Sequence, residues 1–173
     1  MFQSKRINLR KFTIEDISTY HNWRNDMQVM AFTNPTLDVY SFNETEQFCQ
    51  NIINSSSSKS YIIEEKDSKK PIGITSLINI DPYNRNAECI IDIGDKDYWG
   101  NGFGYEALEI LLNYAFQELN LHRIYLRVFS FNERAIKLYE KLGFEHEGCQ
   151  KEAIYRNGKW NDILFLAKLN KGN

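Results

Sequence analysis

The chain has 173 residues, 42% of them hydrophobic and 25% charged. That is the length and composition of one globular domain with a sizeable core, which excludes a disordered polymer. Its 21 basic and 23 acidic side chains leave a net charge of −2, so there is no general pull toward nucleic acid or anionic lipid. No apolar run approaches the roughly 18 residues of a membrane span, and no signal-peptide core opens the chain. Neither a nucleic acid nor a membrane is therefore an expected partner, and the expected compartment is the cytoplasm.

In chain order, Arg6–Phe12 alternates in the period of a half-buried strand. Thr13 is the expected N-cap of a helix running to about Arg24, with Glu15 and Asp16 in its first turn. Met27–Tyr40 has no clear period, and Asn34-Pro35 marks a turn within it. Phe42–Ile53 reads as a second helix and Ser55–Ser58 as a loop. Strands follow at Tyr61–Glu65, Ile72–Ile80 and Ala87–Ile93, joined by turns at Asp67–Pro71 and Asp81–Asn86. Phe103–Leu119 carries an apolar stripe at helical spacing, Ile124–Phe129 reads as a strand, and Glu133–Leu142 as a helix stopped by Gly143. Phe144–Tyr155 and Lys159–Leu169 flank Asn157-Gly158, a two-residue hairpin signal. With no repeat and no linker, the expectation is one α+β domain over residues 1–173.

Cys49, Cys89 and Cys149 are odd in number and form no CxxC pair, and His21, His122 and His146 lack metal-ligand spacing. No metal and no disulfide framework are expected, and Cys89 reads as a small core residue. Arg123, Arg127, Arg134, Lys137 and Lys141 gather locally, either as a solvated face or as a patch receiving ligand phosphates.

Two segments carry the chemistry. In the first, Trp99-Gly100-Asn101-Gly102-Phe103-Gly104 lies between a strand and a helix, where bare backbone N–H groups and a helix N-terminus suit an anion such as a pyrophosphate. Gly102–Ala107 also fits the letter of G-x-G-x-x-A, but Gly94–Trp99 separates it from the strand, unlike a dinucleotide-binding unit. A P-loop is excluded because no Gly-Lys-Ser/Thr follows. In the second segment, Asn132 starts a short helix that places Tyr139 two turns on, ahead of Gly143-Phe144.

Together these segments resemble the GNAT superfamily of acetyl-CoA-dependent N-acetyltransferases. The resemblance runs from Ile7 to Leu169 and is closest over Ala87–Phe144. It points to the branch holding the Rim-type ribosomal-protein N-terminal acetyltransferases and the spermidine acetyltransferases. The family's Gln/Arg-x-x-Gly-x-Gly/Ala loop is matched at positions 99–104, with Trp99 in place of Gln or Arg and one side-chain contact to phosphate lost. The N-x-x-A-x-x-x-Y-x-x-x-G-F pattern is met at Asn132, Ala135, Tyr139, Gly143 and Phe144.

The resemblance implies a central, mostly antiparallel mixed sheet of about seven strands flanked by about four helices, with acetyl-CoA as co-substrate. It implies that the backbone of Ile91, Asp92 and Ile93 pairs with the pantetheine arm and polarises the thioester carbonyl. Trp99, Gly100, Asn101, Gly102, Phe103 and Gly104 would hold the pyrophosphate, and Asn132 would contact the arm. Tyr139 is the expected general acid to the leaving thiolate, or else a core tyrosine. Glu88, on the strand face it shares with Ile90 and Asp92, is the expected base, directly or through water, or else holds a neighbouring loop. The resemblance implies an amine acceptor on a small molecule or peptide, in a site drawn from Trp23–Asn34, the second helix and the final hairpin, and a homodimer is compatible with the family. For a polycation, Asp26, Glu44 and Glu46 are available, but Phe32-Thr33-Asn34-Pro35 lacks paired acids. The rival readings are a non-catalytic acetyl-CoA-binding module and a nicotinamide-dependent oxidoreductase; the latter needs more alternating strand–helix units than this chain has.

Overall fold

In the computed structural model, which describes residues 1–172, seven strands form one sheet in the order β1-β2-β3-β4-β5-β7-β6. The strands are β1 (Ile7–Lys11), β2 (Lys59–Glu65), β3 (Pro71–Asp81), β4 (Asn86–Asp92), β5 (Arg123–Phe129), β6 (Glu145–Arg156) and β7 (Lys159–Leu169). The helices are α1 (Ile17–Arg24), α2 (Met27–Met30), α3 (Phe42–Asn54), α4 (Phe103–Gln117) and α5 (Glu133–Lys141). Every neighbouring pair of strands is antiparallel except β4 and β5.

Burial on both faces follows from strand alternation. Ile62 and Ile63 are adjacent in β2 and fully buried, yet they belong to opposite faces. Ile63 joins Leu108, Leu111 and Ala115 of α4 and Ile124 of β5. Ile62 joins Trp23 of α1, Cys49 of α3 and Ile74 of β3. Cys89 is buried in the first of these cores.

Two local features differ from the expected elements. The helix expected from Thr13 opens as a single 3-10 turn, Ile14–Asp16, before α1 begins. Thr13 is the turn's N-cap as expected: Asp16 accepts from the Thr13 N–H at 2.9 Å in a capping box, and Arg10 binds both Asp16 oxygens at 2.7 and 2.9 Å. In the segment without a period, Asp26 accepts from the Gln28 N–H at 2.9 Å and caps α2, which raises the helix count to five. The Asn34-Pro35 turn is present, with the Asn34 carboxamide oxygen accepting from the Thr36 N–H at 3.1 Å. The β6–β7 hairpin turns at Asn157 and Gly158, both at positive φ (52° and 78°), as its two-residue loop requires.

Candidate active site

β4 and β5 pair only from Asn86↔Arg123 to Glu88↔Tyr125. Beyond that point β4 continues to Asp92 and β5 to Phe129 without bridging each other. The two strands thus part into a wedge, and the backbone of β4 that faces it has no sheet partner on that side. Peptide groups left open in this way are free for a ligand or water to complete.

The glycine segment closes one end of the wedge. Gly102 sits at φ +83° as the N-cap of α4, a left-handed conformation that a β-carbon disfavours, and Gly100 is at φ +74°. The Trp99 indole N–H donates to the Ile93 carbonyl at 2.7 Å, tying the loop to the end of β4. The first turn of α4 therefore presents its free N–H groups beside β4. Gly104 is different: an added β-carbon would meet Leu138 and Ile91 at 3.5 and 3.6 Å, ordinary contact.

The second motif works as one structural unit. The Asn132 side chain accepts from the Ala135 N–H at 3.2 Å and caps α5. At the other end Gly143 stands at φ +85°, the Gly143 N–H reaches the Glu140 carbonyl at 2.9 Å, and the Phe144 N–H reaches the Tyr139 carbonyl at 3.0 Å. This paired closure is the Schellman arrangement, which is why glycine then phenylalanine follow the helix. Phe144 packs edge-on against the Tyr139 ring, with centroids 5.9 Å apart. The motif's spacing thereby fixes where the Tyr139 hydroxyl points.

Two cavities meet in the wedge. The larger, about 230 Å³, is lined by the expected Ile91, Asp92, Ile93, Trp99, Gly100, Gly102, Phe103, Gly104, Asn132 and Tyr139. The smaller, about 160 Å³, lies toward the expected acceptor side and is lined by Glu88, Arg127, Phe129 and Pro35. Tyr139, Asn132, Ile91, Phe32 and Thr33 belong to both. Of the expected residues only Asn101 lies outside both linings, with its side chain in solvent.

Tyr139 is 8% exposed, and its hydroxyl has no hydrogen bond among the described residues. Burial pushes the phenol well above its usual range, with Cys89 and Asp92 adding to the effect, so it keeps its proton at every working pH. Glu88 is buried as well. One of its oxygens accepts from Arg127 Nε at 2.9 Å and the other from Asn79 Nδ2 at 3.2 Å. Asn79 reaches it because β3 bulges between Ile78 and Asp81, with Asn79 at φ +51°.

Phe32 and Thr33 fall within the Trp23–Asn34 segment expected at the acceptor site, though neither stands among the expected cofactor or catalytic residues, and this segment without periodicity carries them into both cavities. Arg134 was legible only as one of a basic cluster. It lines the larger cavity, its guanidinium 4.4 Å from the centre of the Trp99 ring. Among the described residues there is no cluster of three or more His, Cys, Asp or Glu side chains able to hold a metal.

Comparison with known proteins agrees with this geometry. An acetyltransferase (GNAT) domain model matches residues 6–145. The spermidine N(1)-acetyltransferase of Vibrio cholerae is 33% identical over 162 residues, 92% of this chain and 91% of that protein. The putative ribosomal N-acetyltransferase YdaF of Bacillus subtilis is 34% identical over 99 residues, 57% of this chain and 54% of that protein. The crystal structure of the V. cholerae spermidine N-acetyltransferase in complex with CoA and spermine superposes with a TM-score of 0.88 at 31% identity, covering 96% of each chain. The chain thus belongs to the GNAT acetyltransferase family and is an acetyl-CoA-dependent N-acetyltransferase.

Proposed function

We propose that the acceptor is the primary amine of a flexible alkyl chain, with polyamines such as spermidine foremost, and that residues 1–173 act as one acetyltransferase domain in the cytoplasm. The observation that carries this reading is the meeting of two cavities at Tyr139, one suited to a cofactor arm and the other to a narrow amine. The acceptor class is supported by the reach of the likeness: the spermidine enzyme matches over 92% of the chain, the ribosomal relative over 57%. One structure of the V. cholerae enzyme is described as dodecameric. Self-association of this chain is our matching proposal.

In the proposed complex the acetyl-CoA pyrophosphate lies over the N–H groups of Gly100 to Gly104, where positive backbone dipoles converge. Asn101 contributes its backbone alone. Arg134, held against the Trp99 ring, supplies a charged contact to phosphate in place of the Gln or Arg that Trp99 replaces. The arm pairs with Ile91–Ile93 and passes Asn132, and a backbone N–H of that strand end polarises the thioester carbonyl. The amine nitrogen attacks the thioester carbon, a C–N bond forms, and the C–S bond breaks with its electron pair passing to sulfur. Tyr139 donates a hydrogen bond to the departing sulfur. Arg127 and Asn79 each donate to one Glu88 oxygen and fix the carboxylate in place, so we assign its remaining lone pairs to orienting the amine within the smaller cavity.

Thiol release from acetyl-CoA with spermidine, spermine, peptide amines and amino sugars tests the acceptor. Spermidine is expected to exceed the peptides by at least about tenfold in kcat/KM, the discrimination worth ~1.4 kcal/mol. A reversed order transfers the assignment to peptide N-termini. Calorimetry with acetyl-CoA tests the cofactor end. Gly102→Val is expected to weaken binding at least about tenfold, because a branched residue cannot hold the left-handed cap. Gly104→Ala, where the β-carbon fits, is expected to change it little. Equal losses in the two variants would remove Gly102 from its proposed role.

A further inference from the structure

Glu88 carries one donor on each oxygen, and a second carboxylate on the same strand face carries fewer. Asp92 lies two alternations along the same face of β4, at the end of the wedge and in the lining of the larger cavity with Thr33 and Tyr139. Its Oδ1 is shut away from solvent and has no hydrogen-bond partner. The Thr33 hydroxyl, in the same lining, favours its ionised form. An unpaired carboxylate oxygen in a buried place is costly, and one kept beside a reaction centre points to use there.

We propose that the Asp92 carboxylate, in the lining of the larger cavity beside Tyr139, is the base that takes the proton from the acceptor's ammonium. This rests on the acetyl-transfer reading above. The docked ammonium first gives one proton to Asp92, which frees the nitrogen lone pair, and the C–N bond then forms. The C–S electron pair goes to sulfur, which Tyr139 steadies, and the second proton lost by the nitrogen completes the CoA thiol. The proton on Asp92 passes to solvent, so the ammonium and acetyl-CoA give amide, thiol and one released proton.

The surroundings suit this role. Burial pushes the carboxyl up to about 6, with Thr33 opposing, close to the operating pH that a base requires. The ionisable groups that feel its charge are Tyr20 on α1 and Tyr139 on α5, both pushed upward by burial and therefore neutral. Ile74 opposite it on β3 and Trp23, which covers Gly94, carry no charge.

The test is kcat/KM against pH for the wild type, Asp92→Asn, Thr33→Val and Glu88→Gln, with spermidine as the acceptor. An alkyl ammonium titrates near ~10.4. An ammonium docking onto ionised Asp92 gives the wild type an acid limb near pH 6 and a level region above it. Asp92→Asn must wait for neutral amine, so its rate is expected to be at least about a hundredfold lower at pH 7 and to climb tenfold per pH unit. Thr33→Val is expected to move the acid limb to higher pH, because the donor that favours the anion is gone. Glu88→Gln is expected to lower the whole profile without changing its shape. A level region retained in Asp92→Asn, a uniform loss in that variant, or a wild-type rate that climbs without levelling overturns the proposal. Absence of thiol release with every amine in the panel overturns the acetyl-transfer reading instead.

Discussion

Replacing Tyr139 with phenylalanine is expected to lower kcat by about a hundredfold to ten-thousandfold and to leave acetyl-CoA affinity within about twofold. The hydroxyl has no hydrogen bond among the described residues, and the ring alone makes the contact with Phe144. Its removal therefore costs the fold nothing in packing and leaves no buried partner unsatisfied. The effect is confined to the moment when negative charge gathers on sulfur, since a donor that acts there contributes little to ground-state binding. The measurements are single-turnover kinetics, a binding isotherm for acetyl-CoA, and a melting curve. A Tyr139→Phe protein with wild-type single-turnover rates would reduce Tyr139 to a packing residue. A protein that loses cofactor affinity in step with rate would make it a binding residue.

Asp92→Asn is expected to stabilise the protein, increasingly so as pH rises. The native carboxyl is pushed by burial from 3.8 to about 6, with Thr33 pulling the other way. Between those values the folded state binds more protons than the unfolded state, so wild-type stability falls as pH rises through that window. Above about pH 6 the whole penalty is present. At ~1.4 kcal/mol for each tenfold change in proton affinity, it amounts to about 3 kcal/mol. Asparagine carries no charge to bury and escapes it. The expected result is a melting temperature raised by several degrees at pH 8 and by much less at pH 4, relative to the wild type at the same pH. An equal gain at both values would mean that packing, not ionisation, is responsible. A stabilising change that slows the reaction is the pattern of a residue retained for activity at the expense of stability.

Much of the architecture was legible in the sequence because it rests on local rules. Alternation marked the strands, the apolar stripe marked α4, and Asn157-Gly158 marked the last hairpin, since each feature acts between residues close together in the chain. The Asn132–Phe144 pattern was legible for the same reason. Its cap at Asn132 and its closure at Gly143 and Phe144 are hydrogen bonds within three to five residues. They determine that the element is a short helix and that Tyr139 faces one way from it. The glycines at 100 and 102 likewise mark positive φ, a property of the residue before any tertiary contact forms.

What only the tertiary structure decided are the relations between distant segments. That β4 and β5 part after Glu88↔Tyr125 depends on two strands more than thirty residues apart, and no local pattern states where a parallel pairing ends. The partners of Glu88 come from a bulge in β3 and from Arg127 on β5, so its engagement by both was invisible along β4. Thr33 lies in a segment without periodicity, and folding brings it over Asp92 and into both cavities. The chain by itself determines which elements form, where they are capped and which motif residues face outward from them. The burial that leaves Asp92 Oδ1 without a partner arises from the packing of α1, β3 and the Thr33 turn around β4, and desolvation is a property of that assembled environment, not of a residue and its neighbours in sequence.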